Sequence, residues 1–91
     1  MDHQTNIKEI AHLLSDIDDI ALIEDFLKNI LTEAELKNLA SRWEIVKLLE
    51  QGISQRKIAR DLHLSLCKIT RGSKVLKEKN SAVKKLIHKN Y

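Results

Sequence analysis

Residues 54–76, SQRKIARDLHLSLCKITRGSKVL, hold six positive charges among short apolar steps and two serines placed as helix openers. Ser54 can cap a helix over 55 to about 62, with Ile53 and Ile58 as the ends of a hydrophobic staple. Ser65 can cap a second helix from Leu66, stapled by Leu64 and Ile69. A connection of about three residues around His63 and Leu64 suits a helix-turn-helix. The small Ala59 falls where two such helices press together, and Ile58, Leu62 and Ile69 supply the inner wall. The glycine usual in that turn is absent. His63 must therefore take positive φ, which His tolerates better than bulkier side chains, or the turn must bend differently.

Outward from this unit, the upstream stretch LTEAELKNL carries the sharpest boundary signal. Thr32 and Glu35 make a capping box, with Leu31 and Leu36 as the staple. The spacing predicts a helix from Glu33 through Leu36, Leu39, Ala40, Trp43, Val46 and Leu49 to about Gln51, closed by Gly52 in the left-handed conformation. Trp43 is expected in the core. Further upstream, Ile7, Ile10, Leu14, Ile17, Ala21 and Ile20, Ile23, Phe26, Leu27, Ile30 recur at steps of three and four, which predicts helices over about 5–15 and 18–30. Their apolar residues lie on more than one face, and a dimer interface would cover them. Downstream, Val83, Leu86, Ile87 and Tyr91 predict a sixth helix over 80 to about 89.

Composition agrees with packed helices: there is no proline, there are two glycines, and aromatics make up 3% of the 91 residues. One domain over 1–91 is expected, and an intertwined homodimer would bury what a chain this short cannot. The dimerisation core would use about 5–51 and 80–91, and the helix-turn-helix about 54–78. No apolar run is long enough to span a membrane and no signal-peptide pattern opens the chain, so a cytoplasmic location is expected. The single Cys67 excludes an internal disulfide and a multi-cysteine metal site. Charge is divided sharply. Residues 1–40 carry three lysines against nine acids, and residues 41–91 carry thirteen lysines or arginines against four acids. A basic half of this kind is the footprint of a polyanion binder, most often nucleic acid.

A helix-turn-helix enters the major groove of double-stranded DNA by the N-terminal end of its second helix. Ile69 points inward, which leaves Leu66, Cys67, Lys68 and Thr70 for base edges: apolar tips for a thymine methyl, Lys68 for guanine or phosphate, Thr70 in either role. Gln55 and Arg56 would meet the backbone, where helix amides and dipole already favour phosphate. Ser41 and Lys77 complete the expected DNA-binding set. A dimer would address a palindromic site about one helical turn between half-sites. Enzyme chemistry finds no support, because His3, His12, His63 and His88 lack ligand spacing, Cys67 has no partner in sequence, and no Gly-rich phosphate loop exists. The rival reading is a helical protein-interaction module with a basic face.

Residues 31–77 resemble the central region of the tryptophan repressor family. The likeness is carried by the Leu-Thr opening, the Arg-x-x-Ile-Val step, the Ser-Gln-Arg start of the bihelical unit and, most specifically, Ile-Thr-Arg-Gly-Ser. It implies an all-α, ligand-dependent transcriptional repressor with L-tryptophan as co-repressor and no metal. It further implies that Arg42 and Arg71 sandwich the indole, that Arg71 holds the carboxylate, and that Gly72 leaves room for the ring. Thr32 of the partner subunit would contact the polar end, and main-chain carbonyls near Asn29 and Leu31 would receive the ammonium group. Three departures stand out. Val75 replaces a serine that assists with the amino group, the 52–54 connection is one residue shorter, and His63 replaces the turn glycine. Weakened or altered ligand recognition and a changed angle between the DNA-facing helices are the expected consequences; a ligand-independent or other-ligand regulator of the same fold is the alternative.

Overall fold

Helix starts in this chain are set by single side chains that take up otherwise free amides. In the computed structural model, which describes residues 2–79 and 81–90, the elements are α1 (His3–Ser15), α2 (Ile20–Ile30), α3 (Glu33–Glu50), α4 (Gln55–Leu62), α5 (Leu66–Lys77) and α6 (Ala82–Asn90). No strand occurs among the described residues. Asp2 caps α1 by accepting from the Gln4 amide at 3.0 Å, so that helix opens two residues before the expected start. Asp19 Oδ1 accepts from the amides of Ala21 and Leu22 at 3.0 and 3.4 Å. It thereby holds residues 18 and 19 outside α2, and the expected start at 18 moves to Ile20. The capping box is formed as expected, the Thr32 amide donating to Glu35 Oε1 at 2.8 Å and the Glu35 amide to Thr32 Oγ1 at 3.1 Å.

Two helix ends decide how the helix-turn-helix is framed. At the end of α3 the Gly52 amide bonds the Leu49 carbonyl at 3.0 Å and the Ile53 amide bonds that of Leu48 at 3.1 Å, with Gly52 at φ 87°. This pair of bonds is a Schellman motif, which needs a left-handed residue at its corner. The end of α4 repeats it with His63 at φ 55°: the His63 amide reaches the Arg60 carbonyl at 3.4 Å and the Leu64 amide reaches that of Ala59 at 3.0 Å. Of the two options for the glycine-free turn, the chain takes positive φ. Ser54 caps α4 through the Lys57 amide at 3.2 Å. Ser65 does not do the same for α5. Its backbone has the extended conformation of an N-cap, yet its hydroxyl makes no capping bond, and the Lys68 amide is taken by the Ser65 carbonyl at 3.2 Å instead.

The chain divides after Leu36 into two compact units. In the first, no residue of α1 or α2 is buried, and Ile7, Leu13, Ile20, Leu22 and Ile30 are all at least half exposed. The second contains two apolar clusters. Ile45, Ile58 and Ile69 close one, with Ala59, Leu62, Ile53 and Leu64 packed on it, which matches the wall expected for the bihelical unit. Val46, Leu76 and Ile87 form the other, with Trp43 and Val83 against it. Leu49 touches both. In α6, Ile87 is buried as the spacing predicts, but Leu86 is 53% exposed, because four-residue steps from Val83 to Ile87 already define the inward stripe. Ser81 caps α6 through the Lys84 amide at 3.2 Å. His88 Nε2 lies 2.9 Å from Glu50 Oε1, tying α6 to the end of α3. The start expected at Asn80 and the packing of Tyr91 lie outside the described residues.

Candidate ligand cleft and nucleic-acid interface

Close approach of α5 to α3 is made possible by one missing atom. A β-carbon on Gly72 would stand 2.9 Å from Ile45 Cγ2 and 3.5 Å from Leu49 Cδ1, so the absent side chain is used first for helix packing. Beside this contact opens a cleft of about 280 Å³, lined by Asn38, Ser41, Arg42, Ile45 and Val46 of α3, Lys68, Arg71, Gly72 and Val75 of α5, and Val83 of α6. The first four residues from α3 and the four from α5 each fall at i, i+3, i+4, i+7, one helical face apiece. Ile45, Val46, Val75 and Val83 make its apolar wall. Arg42, Lys68 and Arg71 are its charged residues, no carboxylate lines it, and none of the three is paired with an acid among the described residues. Such a site suits a ligand with a flat apolar body and an anionic end.

Of the residues expected around a ligand, Arg42, Arg71, Gly72 and Val75 meet in this one cleft. Thr32, Asn29 and Leu31 belong to the first unit. There the Thr32 oxygen serves the capping box, Asn29 Nδ2 donates to the Asp25 carbonyl at 2.7 Å, and Leu31 leaves α2 in extended conformation. Two residues expected only on the DNA face, Ser41 and Lys68, also line the cleft. Asn38, Ile45, Val46 and Val83 join them without having been expected. The i, i+3, i+4, i+7 register through Arg42 would have found Asn38 and Ser41, whereas Val83 comes from a third helix and has no local signal.

On the helix-turn-helix, Arg56, Leu66, Cys67, Lys68, Thr70 and Lys77 are exposed and Gln55 is half-buried. The Thr70 hydroxyl lies 2.9 Å from the Leu66 carbonyl and 3.2 Å from Gln55 Oε1. A hydroxyl has one proton, so both contacts are satisfied together only when the Gln55 amide turns its NH2 toward Thr70. On α4, Asp61 pairs with Lys57 at 3.2 Å and Arg60 at 3.6 Å. The Lys57 contact is the main cause of an Asp61 carboxyl held below the usual range. Arg56 has no such acid among the described residues, which leaves its guanidinium available to phosphate.

The bihelical unit and its exposed cations define a helix-turn-helix protein, with a cleft between its second helix and α3. Its sequence matches, over residues 5–91, the family described as Trp repressor protein, and the chain belongs to that family of transcriptional repressors. Curated relatives named Trp operon repressor homolog include one from Chlamydia trachomatis serovar L2, 37% identical over 68 residues covering 74% of this chain and 72% of the relative. Another, from Chlamydia caviae, is 39% identical over 70 residues, 76% of this chain and 69% of the relative. No solved structure matches the chain. The family is regulatory and non-enzymatic. Among the described residues no helix is long and apolar enough to cross a membrane, and no group of side chains could hold a metal ion.

Proposed function

We propose that this repressor acts in the cytoplasm as a homodimer on a palindromic DNA operator, and that L-tryptophan bound in the α3–α5 cleft raises its affinity for that site. The observation that carries the reading is the cleft itself, where Arg42 and Arg71 from two helices flank one apolar wall behind the helix that would enter the groove. A ligand there touches α3 and α5 together. By linkage, it strengthens DNA binding only as far as it prefers the DNA-competent placing of α5, a coupling typically of about 1–3 kcal/mol. The exposed apolar residues of α1 and α2 support a second copy as their cover. The first-turn amides of Leu66 and Cys67 at the start of α5 support a phosphate or base edge there. Val75 offers no hydrogen bond to the ligand's amino group, which removes roughly 0.5–1.5 kcal/mol and weakens recognition without ending it.

The test combines calorimetry with selection of bound duplexes from a random DNA library, with and without L-tryptophan. The expected result is tryptophan binding, tighter retention of the selected palindrome when it is present, and loss of both responses in Arg71→Ala with helicity unchanged. No heat of binding at millimolar tryptophan, together with equal DNA affinity in its absence, would leave a ligand-independent DNA-binding repressor.

A further inference from the structure

We infer that Lys68 is a ligand-binding residue of this cleft, sharing the co-repressor's carboxylate with Arg71; the inference rests on the co-repressor reading above. Lys68 and Arg71 are three residues apart on α5, hence one turn apart on the same face, and both line the cleft. Lys68 is the third residue of α5. A cation there faces the positive end of the helix dipole, so the position gains nothing for helix stability. No acid among the described residues neutralises it, and Arg42 and Arg71 in the same cleft repel it.

The free protein therefore holds three uncompensated cations around an apolar wall, and the missing partner is an anion supplied from outside. A single carboxylate has two oxygens and can accept from the Arg71 guanidinium and the Lys68 ammonium at once. With Val75 apolar, Asn38 and Ser41 are the remaining polar side chains of the lining, so the cleft's selectivity is weighted toward the carboxylate. An ammonium carries three protons, which leaves Lys68 a donor for the groove while the ligand is bound. Lys68 would then join the ligand to the reading surface directly.

The experiment titrates L-tryptophan into the full chain, without DNA, for the wild type, Lys68→Met and Lys68→Arg, at low and high salt. Lys68→Met keeps an unbranched stem and removes the charge. It should weaken binding about tenfold, the size of one lost charge-assisted hydrogen bond at a solvent-accessible site, and should flatten the salt dependence. Lys68→Arg should restore both, and urea unfolding should be alike in all three. Equal affinity in the wild type and Lys68→Met, or a loss that Lys68→Arg does not repair, would overturn the role of Lys68 while leaving the co-repressor reading intact. A wild type that binds no tryptophan would overturn both.

Discussion

Gly72→Ala should destabilise this protein, although alanine is the better helix former. In the interior of α5 the exchange gains about 1 kcal/mol from backbone propensity. Against that, the new β-carbon would stand 2.9 Å from Ile45 Cγ2, well inside the ~3.5–4.0 Å of ordinary carbon contact. Ile45 is 2% exposed and shares a cluster with Ile58 and Ile69, so a shift away from α5 disturbs that packing. Overpacking of this kind costs about 1–3 kcal/mol, and the net expectation is a loss of about 1 kcal/mol. A double-mutant cycle isolates the cause. Ile45→Ala alone should cost about 2–5 kcal/mol, but it removes the obstructing methyl, and in that background Gly72→Ala should stabilise by about 1 kcal/mol. The coupling between the two positions would be about 2 kcal/mol. Urea unfolding followed by circular dichroism, with all four chains at one protein concentration and in one stabilising osmolyte, measures it. If Gly72→Ala stabilises the parent chain, α3 and α5 do not meet at this point and the cleft beside them does not have this lining.

Further expectations concern the turns and caps. Ser54→Ala should cost about 1 kcal/mol while Ser65→Ala stays within about 0.5 kcal/mol, since only Ser54 makes a side-chain capping bond; equal losses in unfolding would contradict the difference. His63→Gly should stabilise by up to about 1 kcal/mol by relieving the left-handed strain at φ 55°, and His63→Val should destabilise; a denaturation midpoint unchanged by both would argue against that conformation. Bonds from the Thr32 amide and then its hydroxyl hold the Glu35 carboxyl below the usual glutamate range. Its stabilising contribution is thus complete above the unfolded value and is lost as pH falls through the lower folded value. The Glu35 carboxylate resonance should titrate below that of an unfolded peptide, and Thr32→Ala should move it back up. Replacing Arg56 should weaken all DNA sequences together and lower the salt slope by about one unit, whereas replacing Thr70 should change which sequence is preferred; identical effects on every sequence would unseat α5 as the reading helix.

Much of the fold is legible in the sequence because its signals are local. The Thr32–Glu35 box, the Ser54 cap and the corner at Gly52 each depend on residues within four positions of one another. A histidine where a turn glycine is usual limits residue 63 to two conformations, and the Schellman bonds select one of them. Ser65 departs from expectation because the chain order fixes where its hydroxyl stands in the motif but not its rotamer, and a carbonyl can take the same amide. Asp19 is hard to single out as a cap because Asp16 and Asp18 stand beside it and only geometry selects one, and Asp2 lies upstream of the apolar repeat that marks the helix. In the site, Arg42, Arg71 and Val75 follow from likeness to a family, and they do share a cleft. Gly72 reads by that likeness as space for a ring, whereas its missing β-carbon meets Ile45 and Leu49. That distinction depends on the register of two helices whose contact residues are more than twenty positions apart. The place of Ser41 and Lys68 in the cleft lining is hidden for the same reason, and so is the His88–Glu50 contact.

Two clusters joined through Leu49 imply an order of opening. Of the two clusters α6 enters only the one around Ile87, beside Val46 of α3 and Leu76 of α5, whereas Ile58 and Ile69 hold α4 and α5 to the same isoleucine of α3. With eight residues, α4 is too short to persist by itself. Its amides should therefore exchange with solvent hydrogen together with those of the first half of α5, as one cooperative segment, while α6 can detach and return without disturbing them. The pair α4 and α5 would then stay assembled through fluctuations that repeatedly expose Val83, the cleft wall contributed by α6, and small molecules could enter and leave by that side without these two helices coming apart.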